Sequence, residues 1–233
     1  MPGAAPPPAV PTREIGVYVH FPWCLRKCGY CDFSSEAIGR GAIPHAAYAD
    51  ALLAELEFHA AHLAAHPPPT AGGAGSAAVA GELRVASVYF GGGTPSLWDS
   101  AELGRVLTGL AAAFVLAADA EVTIECNPTS VDAPRAEAWL RAGVNRVSVG
   151  VQGLDAARLR LLGRQHDPED AVGAIRAVAT AGVPRIAADL IFGLPDAPPE
   201  AAAGDARALA ALPLPPVSAD ALTLEAGTPL GER

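Results

Sequence analysis

Three closely spaced cysteines are the residues of this chain with the clearest chemical potential. Cys24, Cys28 and Cys31 form a C-x3-C-x2-C motif directly after an apolar segment. Zinc sites usually take four protein ligands, whereas cysteine thiolates hold iron–sulfur clusters. Three thiolates from one loop therefore favour a cubane cluster whose fourth iron stays open to a small molecule. The alternatives are three small buried side chains, or a redox-active pair with a spare thiol.

A glycine run and a carboxylate follow the next two apolar segments. The run Gly91–Pro95 reads GGGTP, and glycines allow a backbone to approach a ligand closely. Glu125 ends the segment EVTIE, where its carboxylate could accept hydrogen bonds from a ribose diol or simply face water. Its neighbour Cys126 is expected to be a small, buried and inert side chain.

A second polar set lies further along the chain. Gln152 follows a fourth apolar segment, Arg164 lies between two amphipathic segments, and Asp189 lies late in a fifth apolar segment. Arginine suits a carboxylate, while Asp and Gln can bind hydroxyls or an amine. A solvated helical position is the alternative for Arg164 and His166. Asp189 argues for a function, because an unpaired buried charge is costly.

The elements that would position these residues follow a β–α rhythm, which predicts a parallel sheet. The predicted strands are Ile15–His20, Val85–Phe90, Glu121–Glu125, Val144–Val151, Pro184–Phe192 and Val217–Leu224. The predicted helices are Pro44–Ala65, Ser100–Phe114 (capped by Ser100), Pro134–Ala142 (ended by Gly143), 155–162, 168–181 and Glu200–Leu212. We therefore expect an α/β fold, a partial parallel (β/α)6 barrel with the helix after strand six missing. Barrel chemistry lies at the carboxyl ends of the strands, where most of these residues fall.

Composition narrows the function classes. The net charge of −9 and the pI of about 5.1 argue against nucleic-acid binding, and no apolar run reaches the roughly 18 residues of a membrane helix. Residues 1–13 lack a secretory signal pattern and are expected to be a disordered Pro/Ala-rich lead. Residues 14–233 would form one core, with a flexible low-complexity loop at 67–81. The cysteine usage fits the reducing cytoplasm.

The motifs together resemble a known family. The cysteine spacing is the signature of the radical S-adenosylmethionine (SAM) superfamily, and within it the chain resembles the oxygen-independent coproporphyrinogen III oxidase-like family. The resemblance runs from about residue 15 to the last residue. The segments that carry it are Tyr18–Phe33, Gly91–Pro95, Thr123–Glu125, Gly150–Gln152, Leu162–Arg164, Asp189–Pro195 and Leu222–Pro229.

This resemblance implies a radical SAM barrel and specific ligands. Cys24, Cys28 and Cys31 would ligate a [4Fe–4S] cluster, which supplies one electron that cleaves SAM to methionine and a 5′-deoxyadenosyl radical. The residues that would contact the cluster-bound SAM are Tyr18, Gly92 and Glu125. The positions that match a second SAM site of the decarboxylating branch are Tyr30, Gly93, Thr94, Gln152, Arg164, Asp189 and, less closely, Ala221.

The branch of the family decides the expected activity. The decarboxylating oxidases carry a fourth cysteine where this chain has Phe33. That phenylalanine, with Phe-Pro-Trp ahead of Cys24 and Gly-Thr-Pro at 227–229, resembles the HemW-type haem chaperones, which bind haem and pass it to acceptor proteins. The alternative is an oxidase that decarboxylates coproporphyrinogen III to protoporphyrinogen IX, favoured by the intact set of Gln152, Arg164 and Asp189. The acceptor protein and electron donor stay unknown, and enzymatic activity is left open.

Two departures from the family pattern bear on these expectations. Asp220 stands where the family usually has an aromatic side chain, and the family's C-terminal portion, including a region associated with haem binding, has no counterpart in the chain. A third hypothesis is therefore a degenerate reading frame whose incomplete barrel exposes strand edges.

Overall fold

The computed structural model describes residues 13–66, 83–195, 197–212 and 217–233. The strands are β1 (Arg13–Phe21), β2 (Trp23–Cys24), β3 (Glu36–Ala37), β4 (Leu83–Gly92), β5 (Val115–Cys126), β6 (Arg146–Gln152), β7 (Arg185–Phe192) and β8 (Val217–Ala221). The helices are α1 (His45–Ala65), α2 (Ser100–Ala113), α3 (Ala133–Ala142), α4 (Ala156–Leu162), α5 (Pro168–Thr180) and α6 (Pro199–Ala210). The predicted lead and the predicted loop at 67–81 lie outside the described residues, except that Arg13 belongs to β1.

Six of the strands form one parallel sheet in the order β1-β4-β5-β6-β7-β8. Each strand pairs with the strand that follows it in the sheet, so that the carboxyl ends of all six lie at one edge. Among the described residues β1 and β8 pair on one side only, and the sheet is a curled half-barrel. The predicted partial parallel barrel is confirmed.

The strands of this sheet are rich in apolar residues. They carry runs such as VYVHF and RIAADLIF, as expected of parallel strands that are covered by helices. The largest side chains with almost no exposed surface include Phe21, Phe90, Trp98 and Trp139. Burial of each such ring stabilises the fold by about 1.5–3 kcal/mol, which fixes the positions of the strand ends.

Several predicted boundaries need correction. The cap of α2 is Asp99, not Ser100, because the Asp99 carboxylate accepts the Ala101 amide hydrogen at 2.8 Å and its backbone is extended. Strand β5 begins at Val115, six residues before the predicted start, and its register against β4 shifts between Val85 and Ser87. Strand β8 ends at Ala221, not Leu224. The predicted helix stop at Gly143 is confirmed, with φ of 110°.

Two short features were not predicted from sequence. The strands β2 and β3 pair with each other on either side of the cysteine loop. The Glu36 amide donates to the Pro22 carbonyl and the Ile38 amide to the Cys24 carbonyl, both at 2.8 Å. The loop that carries Cys28 and Cys31 is therefore closed at its base by backbone hydrogen bonds.

Candidate functional site

A cavity of about 730 Å³ opens at the carboxyl ends of β4–β8, beside the cysteine loop. Nearly all of the predicted site residues line it: Cys24, Tyr30, Cys28, Cys31, Gly92, Gly93, Thr94, Glu125, Gln152, Arg164, Asp189 and Ala221. Tyr18 is outside this lining. Its hydroxyl lies 2.9 Å from Nδ1 of His20, and its side chain is 58% exposed. The half-barrel thus gathers residues that are up to two hundred positions apart in the chain.

The three cysteines are free thiols that border this cavity. Cys24 is buried at the end of β2, where the Thr94 hydroxyl donates to its sulfur at 3.4 Å. Arg164 donates through Nη1 to the sulfur of Cys28 at 3.5 Å. Burial raises the pKa of the Cys31 thiol. Two of the three sulfurs therefore each accept one hydrogen bond, as suits ligands that carry negative charge when they bind iron.

The cysteine loop is also held by its backbone. The Gly29 amide donates to the Leu162 carbonyl at 3.2 Å, and the Gly29 carbonyl accepts the Leu230 amide hydrogen at 2.8 Å. The ammonium of Lys27 donates to the Phe33 and Ser35 carbonyls at 2.9 and 3.3 Å. Lys27 therefore stabilises the fold of the loop itself. Phe33 remains 59% exposed at the margin of the cavity.

The donor set fits a cluster better than a single ion. Within the described residues, no three His, Cys, Asp or Glu side chains are grouped so as to hold one metal ion. A four-iron cluster spreads its cysteine ligands more widely than a single ion does, and it takes thiolates. Three free thiols around one cavity match that requirement, and the same cavity leaves room for a small molecule beside them.

The glycine run is required by close packing within the protein. A Cβ at Gly93 would lie 2.6 Å from the Trp23 carbonyl oxygen, and one at Gly92 would lie 2.6 Å from the His20 ring. Gly92 also has φ of +110°, which disfavours any larger residue. The Gly93 amide donates to the Phe21 carbonyl at 2.7 Å. These contacts bring the run against β1 and β2, while Gly92 and Gly93 still line the cavity.

Glu125 is a partly buried carboxylate of the cavity wall. It accepts hydrogen bonds from the Tyr89 hydroxyl at 2.8 Å and the Gly92 amide at 3.2 Å. Burial raises its pKa, and the two hydrogen bonds oppose that rise. Cys126, next along the chain, is buried as predicted, and burial raises the pKa of its thiol to about 12.

Arg164 lines the cavity and contacts the end of β6. Its Nη2 donates to the Gly150 carbonyl at 2.7 Å, while its Nε is buried without a partner. Burial raises the pKa of Tyr30 to about 12, although the neighbouring Arg164 guanidinium opposes the rise. Gln152 has φ of +64°, the one non-glycine residue with positive φ in the described part of the chain. Strained residues of this kind are frequent at ligand sites.

Asp189 is partly buried and paired with a hydroxyl. The Ser148 side chain lies 2.8 and 3.0 Å from its two carboxylate oxygens and donates to them. Burial raises the pKa of Asp189, hydrogen bonds from Ser148 and Ser218 oppose this, and nearby Asp220 raises it further. The residue that departs from the family pattern, Asp220, therefore adds negative charge to this side of the cavity.

Sequence reasoning was incomplete at four positions. His166 is only 4% exposed, and its Nε2 hydrogen-bonds to the Val151 carbonyl at 2.9 Å. The alternative that His166 occupies a solvated helical position is therefore wrong. The same alternative is wrong for Arg164, whose side chain lines the cavity. Tyr89 and Ser148 were missed as hydrogen-bond partners of Glu125 and Asp189. Period-two alternation along β4 offered a signal for Tyr89, which shares a strand face with Gly91.

Comparisons with known proteins agree with this geometry. Residues 74–208 match the model of the radical SAM superfamily, and the chain belongs to that superfamily. Membership implies a [4Fe–4S] cluster and SAM.

Its relatives place the chain in the HemN-like and HemW branch. It is 39% identical to the heme chaperone HemW of Escherichia coli K12 over 78% of this chain and 43% of that protein. It is 38% identical to HemW of Mycobacterium tuberculosis H37Rv over 100% of this chain and 55% of that protein. Among solved structures, it resembles coproporphyrinogen III oxidase (HemN) of Escherichia coli, with a TM-score of 0.72 at 27% identity over 94% of this chain and 46% of that one. The chain spans about half the length of these relatives.

The described part of the chain contains no helix that is long and apolar enough to cross a membrane.

Proposed function

We propose that this chain binds a [4Fe–4S] cluster, SAM and haem, and that it serves in passing haem to acceptor proteins in the cytoplasm. The observation that carries the proposal is that one cavity gathers three free cysteines with the partly buried Glu125 and the Arg164 side chain. The likeness to proteins named as heme chaperones supports the haem part. Phe33 in place of a fourth cysteine favours the same branch.

Each group of residues has a distinct role in this proposal. Cys24, Cys28 and Cys31 hold the cluster, which when bound supplies one electron to cleave SAM. The Glu125 carboxylate would accept hydrogen bonds from the ribose hydroxyls of SAM. Arg164, whose side chain lines the cavity, offers a guanidinium charge to an anionic group there. Exposed Phe33 provides an apolar ring against which a porphyrin can pack.

A second candidate is oxygen-independent coproporphyrinogen III oxidase activity. The cavity is lined by the residues that match the second SAM site of the oxidases, Gln152, Arg164 and Asp189. The likeness to HemN covers 94% of this chain. Anaerobic conversion of coproporphyrinogen III to protoporphyrinogen IX would establish this activity. A demonstrably reduced cluster with no turnover would exclude it for this chain.

Low-temperature electron paramagnetic resonance tests the cluster and SAM. The anaerobically reconstituted, dithionite-reduced chain should give a cluster signal that changes when SAM is added. Cys28→Ala should abolish the signal, whereas Cys126→Ala should keep it, because Cys126 is a buried thiol outside the motif. A cluster signal that does not change when SAM is added, or that is still present in Cys28→Ala, would contradict the proposed open-iron site.

Haem titration tests the chaperone part separately. We expect stoichiometric haem uptake at micromolar concentration, seen as a shifted and sharpened Soret band, and transfer of that haem to an apo-haemoprotein. A chain that holds its cluster and SAM but takes up no haem would contradict the chaperone function and leave the radical SAM site intact.

A further inference from the structure

The carboxyl end of β6 combines a bulge with a left-handed residue. In the pairing of β6 with β7, Gly150 lies opposite Asp189 and Gln152 lies opposite Leu190, so Val151 is one extra residue. Gln152 follows it with φ of +64°, a conformation that is unfavourable for a residue with a Cβ. Such a conformation persists only where surrounding contacts hold it.

The loop after α4 supplies two of these contacts. Arg164 donates through Nη2 to the Gly150 carbonyl at 2.7 Å. His166 donates through Nε2 to the Val151 carbonyl at 2.9 Å. That carbonyl belongs to the rigid peptide group that leads into Gln152, and rotation about the next N–Cα bond is the φ of Gln152. The His166 hydrogen bond therefore acts directly on the strained torsion angle.

The protonation state of His166 suits a neutral donor. A carbonyl oxygen only accepts hydrogen bonds, so the hydrogen of the ring is on Nε2. Nδ1 is buried without a hydrogen-bond partner in the described part of the chain. Burial and the Arg164 charge lower the pKa of His166 to about 4. A proton on Nδ1 would place a second charge in this buried region, so the ring stays neutral and keeps its hydrogen bond to β6.

The backbone conformation of Gln152 also places its side chain. A Cβ at Gly150 would lie 2.9 Å from Nε2 of Gln152 and 3.1 Å from Nη2 of Arg164. The amide and the guanidinium therefore approach each other over Gly150, and both residues line the cavity. Bulges change the direction in which a side chain points, so a return to regular strand geometry would turn the amide away from Arg164.

We propose that His166 is a positioning residue, which holds the end of β6 so that the Gln152 amide faces the ligand of the cavity. His166 is outside the cavity lining, and its effect reaches the ligand through the peptide group between Val151 and Gln152. This inference rests on the proposed function, in which Gln152 contributes to SAM binding.

Urea denaturation of the full chain tests the backbone part without a ligand. Gln152→Gly and Gln152→Ala are compared with His166 present and again together with His166→Leu. With His166 present, Gln152→Gly should unfold at the higher urea concentration, because glycine adopts a positive φ freely. With His166→Leu the two midpoints should coincide, because residue 152 relaxes. If His166 only packs, the difference will persist in both backgrounds, which would overturn the proposal, as would equal midpoints with His166 present.

Calorimetric titration of SAM tests the binding part. His166→Leu should weaken SAM binding by about three- to tenfold, the loss expected for one hydrogen bond. His166→Gln retains a side-chain N–H donor and should restore most of the affinity. Val178→Ala is the control, because Val178 is buried in α5 and outside the cavity lining. It should lose stability and keep the SAM affinity of the wild type.

Failure of this inference differs from failure of the proposed function. A wild-type chain that binds no SAM would contradict the proposed function, while the urea comparison would still decide whether His166 holds the strand end. A wild type and His166→Leu that bind SAM equally well would overturn the positioning role and leave the proposed function intact.

Discussion

Tyr89 and Glu125 are joined by a hydrogen bond of 2.8 Å that connects the carboxyl ends of β4 and β5. The Tyr89 ring also stacks on Tyr18, with centroids 6.2 Å apart. The carboxylate of Glu125 is therefore held in one orientation at the cavity wall, with its second oxygen on the Gly92 amide. Tyr89 positions the group that we assign to SAM.

Tyr89→Phe should weaken SAM binding. Loss of one hydrogen bond to a charged group costs about 1.5–3 kcal/mol, and the freed carboxylate can rotate away from its ligand. The Tyr89 hydrogen bond lowers the pKa of Glu125, so its loss should raise that pKa. As pH is lowered, the variant should therefore lose SAM affinity at a higher pH than the wild type does. Calorimetric titration of SAM across pH measures both effects.

Tyr48→Phe is the control for that change. The Tyr48 hydroxyl donates to the His20 carbonyl, and Tyr48 does not line the cavity. It should lose stability while its SAM affinity and pH profile stay those of the wild type. Unchanged SAM binding in Tyr89→Phe would contradict the positioning role.

The backbone conformation of Gln152 should lower the stability of the fold, while its side-chain amide should contribute to ligand binding. Its φ of +64° costs a residue with a Cβ about 1 kcal/mol, whereas glycine adopts it freely. We expect Gln152→Gly to be more stable than Gln152→Ala by about that amount in urea denaturation. Both variants should bind SAM more weakly, because both lack the amide. Equal stability of the two variants would show that the backbone strain is absent.

His166 should make the fold sensitive to acid. Burial, with the nearby Arg164 charge, lowers its pKa from 6.5 to about 4. Between those values the unfolded chain binds a proton that the folded chain does not, so this contribution to stability is lost as pH falls through that window. Denaturant titrations at pH 4–7 should show a smaller slope of stability against pH for His166→Leu. An identical slope would exclude His166 as its source.

Asp205 should be a strong stability determinant outside the cavity. It receives two hydrogen bonds from Arg158, at 2.7 and 3.0 Å, and the Leu154 amide as well. Asp205→Ala leaves the largely buried Arg158 charge with only the longer, 3.8 Å ion pair to Asp155, and loss of one partner of a buried pair typically costs about 3–5 kcal/mol.

An exposed ion pair provides the comparison. Glu137→Ala removes a solvent-exposed pair with Arg141 and should cost less than about 1 kcal/mol. Chemical denaturation compares the two variants. Similar losses in both would contradict the structural importance of the Arg158–Asp205 pair.

The order and type of the main elements could be predicted from sequence because each strand is a short apolar run between amphipathic helices. The start of β5 could not, since residues 117–120 (AADA) are weak strand formers that separate Val115 and Leu116 from the rest of the strand, and the pairing of Val115 and Leu116 with β4 is a tertiary contact. Propensity does not report such a tertiary effect. The cap of α2 was misplaced by one residue for a similar reason, because Asp99 and Ser100 are both good capping residues.

The candidate site was predicted well where residues follow strand ends and poorly where the contact is tertiary. Cys24 and Glu125 line the cavity as expected from their positions. The pairing of Ser148 with Asp189 joins neighbouring strands and needs the register of the sheet. The binding roles of these residues stay predictions, including that of Tyr18.

The hydrogen bond between Gly29 and Leu230 links an early residue to one near the other end of the chain. The sheet order largely follows the chain order, so strands can add one after another as the polypeptide leaves the ribosome. The loop between Cys28 and Cys31 cannot acquire its final support until residue 230 has been made. The backbone support of this loop therefore depends on a residue that lies about two hundred positions later in the sequence.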